Sequence, residues 1–198
     1  MHRLQLFSLR HLATRARKPS PELSKADLDR CYDFIQVTKI FREQQAATSD
    51  FTIVPVTFKV PPEAPWPESL HGKIQRTSKI RRWYKDGALP DDVVQQLDGL
   101  KFVWDVMDHN WNMKVLALSK YKDIYGDTYM PYSYVVPDQD PNWPKDTWNM
   151  KLGHVVHFIL RDVQSTKRKL TLAMTKPDAR QQQLTALGFD WTKPGKLA

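Results

Sequence analysis

PDDVVQQLDGLKFVW, residues 90–104, returns as PDARQQQLTALGFDW at residues 177–191, and laying one on the other without a gap matches 8 of 15 positions. Leu97/Leu184, Leu100/Leu187, Phe102/Phe189 and Trp104/Trp191 are all offset by 87 residues. Identity at that density predicts an internal repeat, so each copy must have more of the unit upstream. It does. Val54-Pro55-x-x-Phe58-x-Val60-Pro61 is answered by Met130-Pro131-x-x-Tyr134-x-Val136-Pro137, Trp66-Pro67 by Trp143-Pro144, and Ile80-Arg81 by Leu160-Arg161. An aromatic segment around Phe34–Phe41 pairs in the same way with one around Trp111–Tyr121. The anchors keep their order while the loops between them change length.

The spacing predicts three helices per unit. Leu28, Cys31, Tyr32, Ile35 and Phe41 recur at helical intervals from Asp27 onward, with Ser24 or Asp27 available as N-cap. Phe51–Pro55 reads as a short extended piece. Prolines 55, 61, 62, 65 and 67 then forbid helix, because each lacks an N–H and restricts the residue before it. Leu70, Ile74, Thr77, Ile80 and Tyr84 predict a second helix over Leu70–Tyr84, ended by Gly87. Pro90, Asp91 and Asp92 start a third, which ends near Gly99–Lys101. In the second unit Trp111, Val115, Leu118 and Tyr125 mark the first helix, with Gly126 as its stop. Residues 130–143 are extended, Leu152–Arg161 is the second helix, and Pro177 opens the third. Gly72 matches either Gly153 or Asn149. The predicted fold is all-α: two tandem three-helix repeats, 23–104 and 105–192, with extended proline-rich connectors.

Composition narrows the function classes. The net charge of +8 divides unevenly. Residues 1–20 carry five basic side chains and no acid, residues 21–104 balance 12 against 12, and residues 105–198 hold 13 basic and 10 acidic. The repeats themselves are weakly basic, so the global charge is poor evidence for a nucleic-acid partner. No apolar run approaches the ~20 residues of a membrane-spanning helix, and no membrane insertion is expected. The single cysteine, Cys31, excludes an internal disulfide framework and is read as a small buried hydrophobe. The acid-free, Arg-rich start MHRLQLFSLRHLATRARKPS, with Arg3, Arg10 and Arg17 at intervals of seven, has the composition of a mitochondrial transit peptide. A mitochondrial location is the expectation it supports.

The ordered anchors carry a resemblance. Aromatic helix, VP-x-x-F/Y, WP, LG, R and L-x-x-L-G-F-x-W together resemble the helicase-associated domain, a small, mainly helical repeat. It is found beside some helicases and, in tandem arrays, in proteins of oomycetes and related protists. The second unit fits better, with Tyr125-Gly126, Leu152-Gly153 and Leu187-Gly188-Phe189 in place. The first lacks the Tyr-Gly pair and has Lys101 in place of the LGF glycine. The resemblance implies nucleic-acid association and no enzymatic activity of the repeat itself.

The residues agree that catalysis is not expected. There is no phosphate-binding G-x-x-x-x-G-K-[ST] loop, nucleophile elbow, CxxC or HExxH. His154 and His157 have helical spacing, but no acidic or cysteine partner completes a metal set, and they read as surface or groove histidines. No cofactor or metal is expected. Asp138 and Asp140, among prolines, read as turn formers. The strongest functional feature is the run Lys73, Arg76, Lys79, Arg81, Arg82 and Lys85, without an acid in thirteen positions. On a helix it would neutralise phosphates, with Trp83 free to stack on an unpaired base. Its alternative is a solvated helix face beside acidic neighbours, with Trp83 packed. Arg161, Lys167, Arg168 and Lys169, joined by Arg180, form a second candidate patch. Arg81 and Arg161 read equally as phosphate ligands or as structural arginines on a carbonyl or buried acid. The repeated tryptophans 66/143 and 104/191 are predicted as core plugs. Two functions follow: a non-catalytic nucleic-acid binder, or an assembly module for a protein partner in a mitochondrial complex.

Overall fold

The structure is a computed structural model that describes residues 22–164 and 177–191. The basic N-terminal segment and Lys167, Arg168 and Lys169 lie outside the described residues. The chain is mostly helical, in the order α1 (Lys25–Gln45), β1 (Thr57–Lys59), β2 (Ile74–Arg76), α2 (Thr77–Asp86), α3 (Asp91–Gly99), α4 (Val106–Tyr125), α5 (Leu152–Gln164) and α6 (Pro177–Ala186). A single 3-10 turn follows each Trp-Pro, at Glu68–Leu70 and Lys145–Thr147.

The helix ends follow the sequence chemistry. The Ser24 hydroxyl oxygen accepts from the Asp27 amide to start α1. Asp105 accepts from the Met107 and Asp108 amides to start α4. These side chains occupy amide donors that a helix N-terminus leaves unpaired. Gly87 and Gly126 close α2 and α4 in the left-handed conformation, at φ of 69° and 86°. That conformation is cheap only for a residue without Cβ.

Each half has its own apolar core, and that of the first half is divided into two clusters along α1. Cys31, Phe34 and Ile35 of α1 pack on Val93 and Leu97 of α3, with Ile80, Leu89 and Phe102 closing the cluster. Farther along α1, Val37 and Ile40 cover Val60, Trp66 and Leu70. The second core gathers Trp111, Leu118 and Tyr121 of α4, Leu152, Val156, Ile159 and Leu160 of α5, Leu184 of α6, and Met130, Val136, Trp143 and Phe189. Between the cores lies a seam bridged by polar and aromatic contacts. Asp146 accepts from the Ser49 hydroxyl and from the Asp50 amide at 3.1 Å, and Phe51 meets the His109 ring edge-on at 4.8 Å.

An all-helical fold was expected, and the small antiparallel sheet corrects it. α2 begins at Thr77, seven residues after the predicted start. Gly72 sits at φ 72°, its amide donates to Val60 O at 2.9 Å, and the Val60 amide donates to Lys73 O at 3.0 Å. β2 then pairs with β1 in the register Phe58↔Gln75. Phe58 is held in a three-ring cluster with Phe41 and Trp66, so the backbone beside it is already fixed and offers a ladder that a new helical turn cannot match. Ile74, expected on the apolar face of a helix, is 57% exposed.

The same backbone bonds recur in the second half. Asn149 stands where Gly72 does, at φ 60°, its amide donating to Val136 O, while the Val136 amide donates to Met150 O. Trp66 and Trp143 amides both bond three residues back, to Glu63 O and Asp140 O. The His71 ring and the Trp148 indole each reach the carbonyl of the preceding tryptophan, Trp66 or Trp143. At the ends, Phe102 bonds Leu97 O and Phe189 bonds Leu184 O, both at 3.0 Å. Trp104 and Trp191 turn their indole N–H onto Asp98 and Thr185. Asn149, then, is the counterpart of Gly72.

Gly153 takes another place. A Cβ there would lie 2.2 Å from Pro131 O and 2.3 Å from Tyr132 O. In the first half, Thr77 faces the corresponding carbonyls, donating its hydroxyl to Pro55 O and its amide to Val56 O. Matching Thr77 with Gly153 sets Arg81 opposite His157, so the expected pairing of Ile80-Arg81 with Leu160-Arg161 is out of register by four residues, one helical turn.

Candidate functional site

α1, β2 and α2 enclose an open groove of about 420 Å³ lined by Arg30, Asp33, Lys73, Arg76, Lys79 and Trp83, among others. Arg76 faces outward on β2 together with Ile74, Lys73 lies just before the strand at the same opening, and the first turns of α2 bring Lys79 beside them. Four cations face this space, and α1 supplies the opposing charge. Lys73 Nζ lies 2.7 Å from Asp33 and Lys79 Nζ 2.9 Å from Asp27, which also takes Arg30 at 2.6 Å. Lys79, then Arg30, hold the Asp27 carboxyl at a pKa of about 2, well below the usual range. Lys79 Nζ also sits 4.5 Å over the half-buried Trp83 ring. Partly solvated pairs like these contribute little to folding and can exchange onto another anion.

The six predicted side chains have different roles. Arg76 and Lys85 are exposed and have no ion pair among the described residues. Arg82 approaches Asp86 at 3.6 Å with both side chains more than half exposed, a weak contact. Lys73 and Lys79 are the paired rim cations. Arg81 is withdrawn from the set, since its Nε and Nη2 donate to Val103 O at 3.1 and 2.9 Å and its guanidinium covers the Phe102 ring. Burial moves its pKa down, while Asp105 pulls it up. Arg81 is the carbonyl-capping arginine of the two sequence alternatives. The charge run is therefore neither a bare phosphate track nor a neutralised face; Arg30, which the sequence reading passed over, joins it from α1.

Of the second predicted patch, Lys167, Arg168 and Lys169 lie outside the described residues, and the two arginines that are described sit in different surroundings. Arg161 is exposed and lies 4.7 Å over the Phe158 ring. Arg180 is only 4% exposed, bonded to Asp108 at 3.0 Å and set 4.8 Å over the Trp111 ring, so it is a core arginine. Periodicity on a short helix could not reveal that, because the burying surface, Trp111, lies on another helix. The tryptophans are structural as expected: Trp66 and Trp143 are buried, and Trp104 and Trp191 are half-buried and hydrogen-bonded.

A feature without a sequence expectation lies on α5. Tyr132 stacks on His154 at 4.1 Å and meets His157 edge-on at 5.1 Å, and His157 leads on to Phe158. Tyr132 and Phe158 are 41% and 42% exposed, so this aromatic ridge is open to solvent. The signal was present in Tyr132, His154 and His157, but only the close approach at Gly153 brings the three together. Among the described residues no group of three His, Cys, Asp or Glu is placed to hold a metal ion, and no helix is long and apolar enough to cross a membrane.

Comparison with known proteins adds one match. The family model of the helicase associated domain (HA) covers residues 108–192, the second half of the chain. No curated protein and no solved structure matches the chain.

Proposed function

We propose that the chain is a non-catalytic nucleic-acid-binding protein built from two copies of one unit, 23–104 and 105–192. The groove of α1, β2 and α2 is its phosphate-binding surface. The observation that carries the reading is the placement of Arg30, Lys73, Arg76 and Lys79 around one open groove, with Asp27 and Asp33 as their acidic partners among the described residues and Trp83 in its wall. Arg82 and Lys85 extend the positive edge along α2. Such a surface holds the backbone without reading sequence and weakens with salt, because bound phosphate releases its counterions. The match of residues 108–192 to the helicase associated domain, an accessory rather than catalytic class, supports the same direction. The Arg-rich, acid-free composition of residues 1–20 supports a mitochondrial setting.

The test is a salt titration of binding to single- and double-stranded DNA and RNA. Affinity should fall steeply with salt and be lost in Arg76→Glu/Lys79→Glu/Arg82→Glu. Absence of binding at low salt, where attraction is strongest, sinks the reading. A second reading, a protein-docking module, rests on the exposed ridge of Tyr132, His157 and Phe158 with Arg161 at its end. It is favoured if strand binding is absent and Phe158→Ser abolishes a protein association.

A further inference from the structure

The seam between the two cores contains a second opening, distinct from the groove on α1 and α2. It has a volume of about 670 Å³, within the range that encloses small ligands. Its apolar wall is Ile53, Met113, Trp148, Met150 and Val155, brought from both halves of the chain. Its polar side is Lys114, Lys145, His109 and Asn110.

The charge on that side is unbalanced. Lys114 is half-buried and, among the described residues, has no hydrogen bond or ion pair. Burial, and after it the neighbouring Arg180 guanidinium, push its pKa down. Among the described residues Lys145 Nζ has only a long contact, 3.4 Å, with Ala46 O. The carboxylate of the cleft, Asp146, already accepts from the Ser49 hydroxyl and the Asp50 amide. A half-hidden ammonium beside another cation costs folding free energy unless an anion completes it, and a cleft that retains one has the electrostatics of a binding site. The rest of the lining suits a flat ring. Trp148 and two methionine thioethers give a polarizable face, and Asn110, exposed and without a side-chain hydrogen bond among the described residues, offers an amide donor and acceptor to a ring edge.

We propose that this cleft binds a mononucleotide unit, its phosphate on Lys114 and Lys145 and its base against the Trp148 and methionine wall. The site is independent of the groove: it uses other side chains and needs no extended strand. The occupant has to carry both parts, since inorganic phosphate leaves the apolar wall wet and a nucleoside leaves Lys114 without its anion.

The experiment is calorimetric titration of the full chain with adenosine 5′-monophosphate at low salt, with adenosine and inorganic phosphate as separate probes. The expected result is binding of the nucleotide well above either fragment. Lys114→Met should weaken it roughly tenfold or more, as loss of a charged hydrogen bond does, with Tm unchanged or raised because an uncompensated charge is gone. Lys145→Met should weaken it less. Arg76→Glu/Lys79→Glu, which removes the groove, should leave it intact, so failure here and failure of the groove reading are separable. The proposal is overturned if the nucleotide does not bind, if Lys114→Met and Lys145→Met both bind as the parent does, or if Lys114→Met lowers Tm and Lys145→Met leaves affinity unchanged.

Discussion

The two halves share a backbone plan and fill it with different side chains. Gly72 and Asn149 make the same left-handed turn, Trp66 and Trp143 the same buried plug, and Phe102 and Phe189 the same chain reversal. Around those fixed points the halves diverge. Where the first half bonds Thr77 to two carbonyls, the second presses Gly153 against them. Where Thr52 caps Leu100 O through its hydroxyl, Lys122 reaches Leu187 O with its ammonium. The helix that is cationic in the first half is aromatic and histidine-bearing in the second. The backbone turns and buried plugs are what the plan cannot give up; the outer faces of α2 and α5 are where function can differ.

The sharpest test of that contrast is Gly153→Ala. The added methyl collides with backbone rather than with a flexible side chain, so α5 must move away from the Pro131–Tyr132 backbone. A loss of roughly 3 kcal/mol or more is expected, at or above the upper range for overpacking. The corresponding change in the first half, Thr77→Val, removes one hydroxyl bond and should cost about 1 kcal/mol. Equal losses, read by urea unfolding, would show that the two positions are not counterparts.

Trp66→Ala and Trp143→Ala should each cost about 3–5 kcal/mol as buried aromatics. Because their cores are separate, the two changes should add within a few tenths of a kcal/mol. Strong non-additivity in thermal unfolding would join the halves into one core.

Arg81→Met should cost about 1–2 kcal/mol, since it leaves Val103 O without its two donors. Arg161→Met, at an exposed site, should stay within about 0.5 kcal/mol. The same pair sharpens the functional contrast. Neutralising Arg76 should lower the slope of log affinity against log salt by about one, as expected for one phosphate contact, whereas Arg81→Met should leave the slope unchanged.

The smallest expected effect is at acid pH. The folded pKa of Asp27, about 2, lies below its ordinary value of 3.8. Its contribution is therefore fully present above pH 3.8 and is lost as pH falls towards 2. Asp27→Asn should flatten that limb of the stability curve. An unchanged limb would mean that Lys79 and Arg30 do not hold the carboxylate in solution.

Much of this was legible in the sequence. Matching PDDVVQQLDGLKFVW with PDARQQQLTALGFDW located α3 and α6, and Gly87, Gly126 and Pro177 marked helix ends because their backbone chemistry acts locally. The identities of the buried tryptophans followed from their repetition. Helical spacing, by contrast, placed Leu70–Arg76 in a helix, because period alone carries no information about a partner strand. The same limit hid the fate of the arginines. Arg81, Arg161 and Arg180 are equal in a sequence; one caps a carbonyl, one lies over an exposed ring and one is buried on Trp111, and the surface each meets comes from a distant segment. The sequence by itself determined the matched anchors in the two halves, the helix ends set by caps and glycines, and which repeated tryptophans are buried or half-buried. Only the tertiary structure decided which cations remain available, because α1 brings Asp27 and Asp33 to Lys79 and Lys73, and contacts between distant segments are not written in local periodicity.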